Sequence, residues 1–227
     1  MGLDMYLYRM PRYKNTTPQQ ISALEDYFRW KADRKNPTSN AKRNSFKGWT
    51  GTDYNDVPRG NVRQFYEPLF TIKYHEWDTE KRYPYGSIME QVGYWRKANQ
   101  IHNWFVENVQ SGQDDCEYHQ EVTKETLASL LGICKDVLAS CEMVDGTISV
   151  GTEFNNGVAT PITTNGKYIK DPTMAQILLP TTPGFFFGSY DYDEYYVDDI
   201  KQTINIIEHV LATTDFETQM IYYVSSW

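Results

Sequence analysis

LLPTTPGFFFGSYDYDEYYVDDIKQTINIIEHVL, residues Leu178–Leu211, is the stretch on which the fold turns. A Pro183-Gly184 turn leads into Phe185-Phe186-Phe187, which reads as a short apolar strand, and Gly188-Ser189 breaks it. An acid-led helix follows, in which Val197, Ile200, Ile204, Ile207 and Leu211 recur at three- and four-residue spacing and predict a face packed on a sheet. Strand, glycine turn and helix N-terminus are the parts of a phosphate cradle. Here, however, Asp191, Asp193 and Glu194, with Asp198 and Asp199 behind, occupy the positive end of the helix dipole and would repel an anion. The pairing of Asp191 with Glu194 predicts a helix cap instead. Tyr190, Asp191, Tyr192, Asp193 and Glu194 together form an acidic lip suited to a cation or a basic partner.

Outward from this unit, Leu3, Met5 and Leu7 alternate with Asp4, Tyr6 and Tyr8, so Gly2–Met10 reads as a strand with one apolar and one aromatic-polar face. Thr17, Pro18 and Gln20 have the spacing of a capped helix start, continued by Ile21, Leu24 and Phe28. Pro68–Tyr74 and a segment near Glu80–Tyr83 read as short strands. Tyr94, Ala98, Ile101, Phe105 and Val109 share one helical face, which predicts a helix over Glu90–Gln110. Another is predicted over Lys124–Ser140, capped by Thr123, with Leu127, Leu130, Leu131, Cys134, Leu138 and Cys141 on one side. Ile148–Phe154 and Val158–Thr163 flank Asn155-Asn156-Gly157 as a hairpin, with Pro161 placing the second strand at an edge. Asp171–Leu179 reads as a short helix and Phe216–Trp227 as a last strand. The expectation is one α+β domain over residues 1–227, a mainly antiparallel sheet packed against three to four helices. The first strand, Phe185–Phe187 and the C-terminal strand should be central. A basic loop at about 29–63 and a hairpin-like excursion at about 144–169 leave this body.

Charge divides the chain. Arg29–Arg63 carries nine Lys/Arg against three Asp, a net of +6, while the remainder stands at −14 in a chain of total −8. With Trp30, Phe46, Trp49 and Tyr54 interleaved, this segment reads either as a surface for nucleic acid or another anion, through Lys35, Lys42, Arg43, Lys47 and Trp49, or as a solvated loop offsetting the acidic body. The acidic total argues against bulk polyanion binding. Eighteen Tyr and six Trp equip surfaces as well as a core. Three cysteines without framework spacing point to reduced thiols in a cytoplasm. No apolar run approaches a membrane span, the N-terminus lacks a signal-peptide core, and Tyr6 stands where a Met1-Gly2 acylation signal wants Ser or Thr.

His75, His102, His119 and His209 form no His-x-x-x-His pair, and Cys116 with His119 lacks a second ligand pair, so neither a metal nor a cofactor is expected. Trp95, Arg96, Asn99 and His102 make a polar patch at the border of an apolar stripe. It reads as boundary residues bonded to neighbouring backbone, or as a small site with a titratable imidazole. No nucleophile elbow, phosphate-binding loop, His-Glu-x-x-His or dinucleotide fingerprint occurs, and no catalytic residue is assigned.

Four pieces, MGLDMYLYRM at the start, VGYWRKANQIHNWFV at Val92–Val106, LLPTTPGFFFGSYDYDEYY at Leu178–Tyr196 and YYVSSW at the end, resemble a family of uncharacterised phage and prophage proteins. The resemblance runs from the first residue to the last through these pieces and leaves out Arg29–Arg63 and Val144–Ile169. It implies a phage setting and the host cytoplasm, without a mechanism. The expected function is a non-enzymatic protein that binds a host protein or protein–nucleic-acid complex, as an inhibitor of a bacterial defence system such as CRISPR. Two alternatives stand beside it: a small-ligand protein or enzyme joining the Trp95–His102 patch to the Asp191–Glu194 turn, and nucleic-acid binding through the basic segment.

Overall fold

The computed structural model of the chain describes residues 2–12, 17–19, 89–155, 158–184 and 187–227. The chain forms two compact units, one from Met1–Tyr8, Gln91–Phe216 and Ile221–Trp227, the other from Arg9–Glu90 and Glu217–Met220. Lys35, Lys42, Arg43, Lys47 and Trp49 lie outside the described residues, as do Phe185, Phe186 and the expected strands between Pro68 and Tyr83. Of the helix expected after Thr17, Pro18 and Gln19 are described, and both are helical.

The fold is α+β. Its described elements are strands β1 (Asp4–Pro11), β2 (Glu90–Arg96), β3 (Met143–Asn155), β4 (Val158–Ile169) and β5 (Gln219–Ser226), and helices α1 (Asn99–Asn108), α2 (Lys124–Ser140), α3 (Thr173–Leu178) and α4 (Glu194–Thr213). One sheet has the order β2-β1-β5 and the other pairs β3 with β4. The backbone N–H of Lys97 donates to Leu3 O at 2.8 Å, and Arg9 pairs with Glu90 at 2.7 Å, so β2 runs antiparallel to β1. Arg12 N donates to Thr218 O at 2.8 Å, which fixes β5 in the same sense.

The alternation in β1 places Leu3, Met5 and Leu7 in the core with no exposed surface, while Tyr6 and Tyr8 face the other way. On that second face Tyr94, Tyr6, Tyr8, Tyr118 and Tyr222 form a continuous aromatic row with ring centroids 5.4–6.5 Å apart. The core side gathers Trp95, Ile101, Phe105, Leu127, Leu130, Cys134, Val137, Ile200, Ile207, Val210 and Tyr223. Phe105 lies flat on Tyr223 at 4.1 Å. Each large apolar side chain so buried contributes roughly 1.5–3 kcal/mol.

Three expectations are corrected. Glu90–Gln110 is a strand followed by a helix: Val92, Gly93, Tyr94 and Trp95 alternate in burial, and the chain turns at Lys97, whose φ is 63°. Gly93 lets β2 approach its neighbours, since a Cβ there would meet Ile206 at 2.9 Å and Leu7 at 3.2 Å. Phe187 is buried but lies outside any strand, and β1 is the middle strand of the three described in its sheet, with β5 beside it. The cap of α4 is Asp193, whose carboxylate accepts from Tyr195 N and Tyr196 N, in place of the Asp191–Glu194 pairing. The expected face of α4 does pack: Val197, Ile200 and Ile207 lie in the core and half-buried Ile204 and Leu211 pack against it, while Tyr196, Thr203 and Val210 are buried as well. Thr203 is buried among them, where it accepts a hydrogen bond from the buried Trp95 indole at 2.9 Å.

α2 is capped by Thr123, which accepts from Thr126 N, and packs along α4. The hairpin is longer than its apolar runs: Met143 pairs with Ile169 and Asn155 with Val158, with a register shift between Ser149 and Gly151. Gly146 and Gly166 are cross-strand partners. Ile148 lies where a Gly166 Cβ would be, and Tyr168 where a Gly146 Cβ would be.

Candidate functional site

The N-terminal residue of α1 is a clamp. Asn99 is 1% exposed, and its Nδ2 donates to Ser189 O at 2.8 Å and Phe187 O at 3.3 Å, while its Oδ1 accepts from Thr182 N at 2.8 Å. One side-chain amide thus holds both ends of the 182–189 segment against the start of α1. Gly188 makes this approach feasible: its φ is +105°, and a Cβ would stand 2.8 Å from Lys97 O. Asn99 of the Trp95–His102 patch thus bonds Ser189, the residue before the Tyr190–Glu194 lip.

Three residues further on, His102 is 1% exposed and bonded at both ring nitrogens, Nδ1 to the Tyr223 hydroxyl at 2.7 Å and Nε2 to Asp114 Oδ1 at 3.0 Å. Asp114 also accepts from the Trp227 indole at 3.1 Å. A carboxylate opposite Nε2 assigns the proton to that nitrogen, leaving Nδ1 to accept from the tyrosine hydroxyl. Burial lowers the imidazole pKa and outweighs the opposing pull of Asp114, so the ring is held neutral. Burial also pushes the Tyr223 phenol well above its usual value. The Phe187 ring stands edge-on to His102 at 5.3 Å. Of the other two members of the patch, Trp95 is buried and bonded to Thr203, and Arg96 is exposed, 3.4 Å from Asp4. Among the described residues no hydrogen bond or ion pair joins Trp95, Arg96 or His102 to Asp191, Asp193 or Glu194.

The lip is exposed where it carries charge and aromatic surface, and braced beneath. Tyr190 is 50% and Tyr195 52% exposed, Asp191 is exposed, Tyr192 and Glu194 are half-buried, and Asp193 is buried. Ile169 N donates to Tyr192 O at 2.8 Å, Thr181 N to the Tyr192 hydroxyl at 3.2 Å, the Thr181 hydroxyl to Tyr190 O at 3.1 Å, and Lys167 N to Glu194 Oε2 at 3.2 Å. Asp193 uses Oδ1 for the α4 cap, and among the described residues its Oδ2 has no hydrogen-bond partner. Burial raises its pKa, with the negative charge of Asp191 adding to the effect and the capping N–H groups opposing it. Asp199, one and a half turns along α4, is pushed up to about 6, first by burial; the Gln100 amide opposes this at 3.1 Å and the neighbouring Asp193 and Asp198 add to it. From Asp171 to Ile200 the chain carries six acids and no Lys or Arg.

Compared with protein-family models, with curated proteins and with solved structures, the chain matches none. The thiols sit in contrasting settings: Cys134 is buried and pushed up to about 12 by desolvation, Cys141 donates to Val137 O at 3.2 Å, and Cys116 is exposed. His119 bonds Asp115 at 2.7 Å, and among the described residues no group of three or more His, Cys, Asp or Glu is placed to hold a metal ion. Nor is any described helix long and apolar enough to cross a membrane.

Sequence reasoning missed the partners Asp114, Tyr223 and Thr182, which converge from distant parts of the chain, and it missed Tyr195. A signal for Tyr195 exists: it lies off the apolar stripe of α4, one residue before buried Tyr196.

Proposed function

We propose that this is a phage-encoded, non-enzymatic binding protein that engages a host protein in the host cytoplasm, a component of a defence system such as CRISPR being the leading class, and that the Tyr190–Tyr195 lip is its contact surface. One observation carries the reading. The polar candidates with catalytic potential, Asn99 and His102, have their side chains spent on internal bonds, whereas the acidic, tyrosine-bearing lip is exposed and held in place from below. Tyrosines backed by a rigid scaffold supply contact area at low ordering cost. The phage setting rests on the resemblance in the four sequence pieces.

The test is affinity capture from host lysate at low salt, with wild type beside the triple variant Asp191→Asn, Glu194→Gln, Tyr195→Ala. A discrete partner held by wild type, shed by the variant and released by salt is the expected result. A wild-type protein that emerges alone, or a partner held equally by the variant, overturns the reading.

The ligand or enzyme alternative draws support from one contact, the junction of Asn99 with the Ser189 turn. It requires His102 to exchange its bond to Asp114 or Tyr223 for one to a ligand. Chemical-shift changes at the His102 ring on screening small metabolites would favour it.

A further inference from the structure

We propose that the lip, together with Tyr168 of β4, is the docking surface for an arginine-bearing segment of a protein partner. This rests on the reading above and names the chemistry the partner must present.

Three independent features converge. The first is charge: from Asp171 to Ile200 no Lys or Arg accompanies the six acids, and the two cations flanking Tyr168, Lys167 and Lys170, pair with Asp145 at 3.9 Å and Glu142 at 2.9 Å, so acids dominate the surface a cationic partner meets. The second is aromatic surface. Tyr168, Tyr190 and Tyr195 are 43%, 50% and 52% exposed, and Tyr168 is bridged to Asp193, so the strand end and the lip are contiguous. Tyrosine faces attract cations and receive flat guanidinium groups by stacking. The third is the orphan oxygen. Asp193 is 1% exposed, its Oδ1 caps Tyr195 N and Tyr196 N at 2.9 and 3.2 Å, which places the carboxylate at the start of α4 within the lip, and among the described residues its Oδ2 accepts no hydrogen bond. Buried carboxylate oxygens are ordinarily bonded, so a vacant one beside a surface acid calls for an incoming donor.

Arginine fits these three together better than lysine. Its planar fork offers five N–H donors, enough for Asp193 and a surface carboxylate at once, and it stacks on tyrosine with weaker hydration to shed. Lysine offers a compact, strongly hydrated point charge. The bonds from Thr181, Ile169 and Lys167 to the lip hold the receiving geometry before binding.

The experiment uses the full-length chain and two labelled peptides of one sequence frame, one with four arginines and the other with four lysines, followed by fluorescence anisotropy at low and physiological salt. The arginine peptide should bind at least tenfold tighter. D193N keeps the capping oxygen and replaces the orphan oxygen with an NH2 group; it should cost tenfold or more in arginine-peptide affinity, as should Y190A/Y195A, with α-helical circular dichroism retained. V150S on the hairpin should leave affinity unchanged. Equal affinity for the two peptides, binding of neither, or lip variants that bind like wild type each overturn the proposal. If the peptides fail while lysate capture still depends on the lip, only the arginine assignment falls. If capture ignores the lip, the reading beneath it falls as well.

Discussion

At Asn99 a single amide satisfies the carbonyls of Phe187 and Ser189 and the N–H of Thr182, none of which lies in a helix or strand. Asn99→Ala leaves these groups without that partner, at about 1–3 kcal/mol for each that stays dry, so a loss near 3 kcal/mol is expected in urea unfolding. Asn99→Asp can still accept from Thr182 but turns a carboxylate on two carbonyl oxygens, and at neutral pH it should be at least as damaging. Hydrogen exchange at the Thr182 amide should speed up in both. An Asn99→Ala loss below about 1 kcal/mol would remove the clamp from the account. The sequence marks Asn99 and His102 as polar residues bordering an apolar stripe, and that part is legible. Their partners are not, because the bonds of His102 span 12 and 121 residues. Periodicity reads neighbours along one element and is blind to such pairings.

Among elements, legibility follows the strength of local chemistry. The Thr123 cap and the leucine row foretell α2, and the Leu3-Met5-Leu7 alternation foretells β1, because in each the pattern and the capping residues agree. The 90–110 stretch misleads because Tyr94 to Ala98 matches helical spacing across a break that only the left-handed backbone of Lys97 creates. Ala98, Ile101, Phe105 and Val109 are buried as the stripe requires; Tyr94 belongs to the strand before them. The β3–β4 ribbon supplies a prediction with opposite signs at two glycines. Gly→Ala in a strand ordinarily stabilises by about 0.5–1 kcal/mol, through a less flexible unfolded chain. At Gly151 the nearest foreign atom to a new Cβ is Ile162 Cδ1 at 3.8 Å, so Gly151→Ala should follow that rule. At Gly166 a Cβ would overlap buried Ile148 and press on Glu194, so Gly166→Ala should cost about 1–3 kcal/mol instead. Thermal unfolding of the two variants side by side decides it; equal shifts would mean that the nesting of Ile148 over Gly166 holds nothing together.

For the whole molecule, buried titratable groups make stability depend on pH in two opposed steps. His102 has its pKa lowered in the folded chain, from an ordinary 6.5, chiefly by burial. Below pH 6.5 the unfolded chain takes up a proton that the folded one resists, so this contribution is complete above 6.5 and is lost as pH falls toward the folded value. Asp199 behaves in reverse. Its folded pKa of about 6 stands above its ordinary 3.8, so between those values the folded chain is the one that binds the proton. Its contribution is present below 3.8 and lost as pH rises through 6, and ionised Asp199 destabilises the neutral-pH fold by about 1–3 kcal/mol. Asp193, raised mainly by burial, has the same sign. Acidification from pH 7.5 should therefore first weaken the protein and then show a shallower loss below pH 6. Asp199→Asn, which keeps an oxygen for the Gln100 amide, should be more stable than wild type at pH 7.5, with the gain shrinking toward pH 5. His102→Gln should be less stable throughout but should lack the decline between pH 7 and 5.5. Urea midpoints at half-unit steps from pH 5 to 8 separate the three curves, and parallel curves would mean that neither group titrates in the range its surroundings dictate.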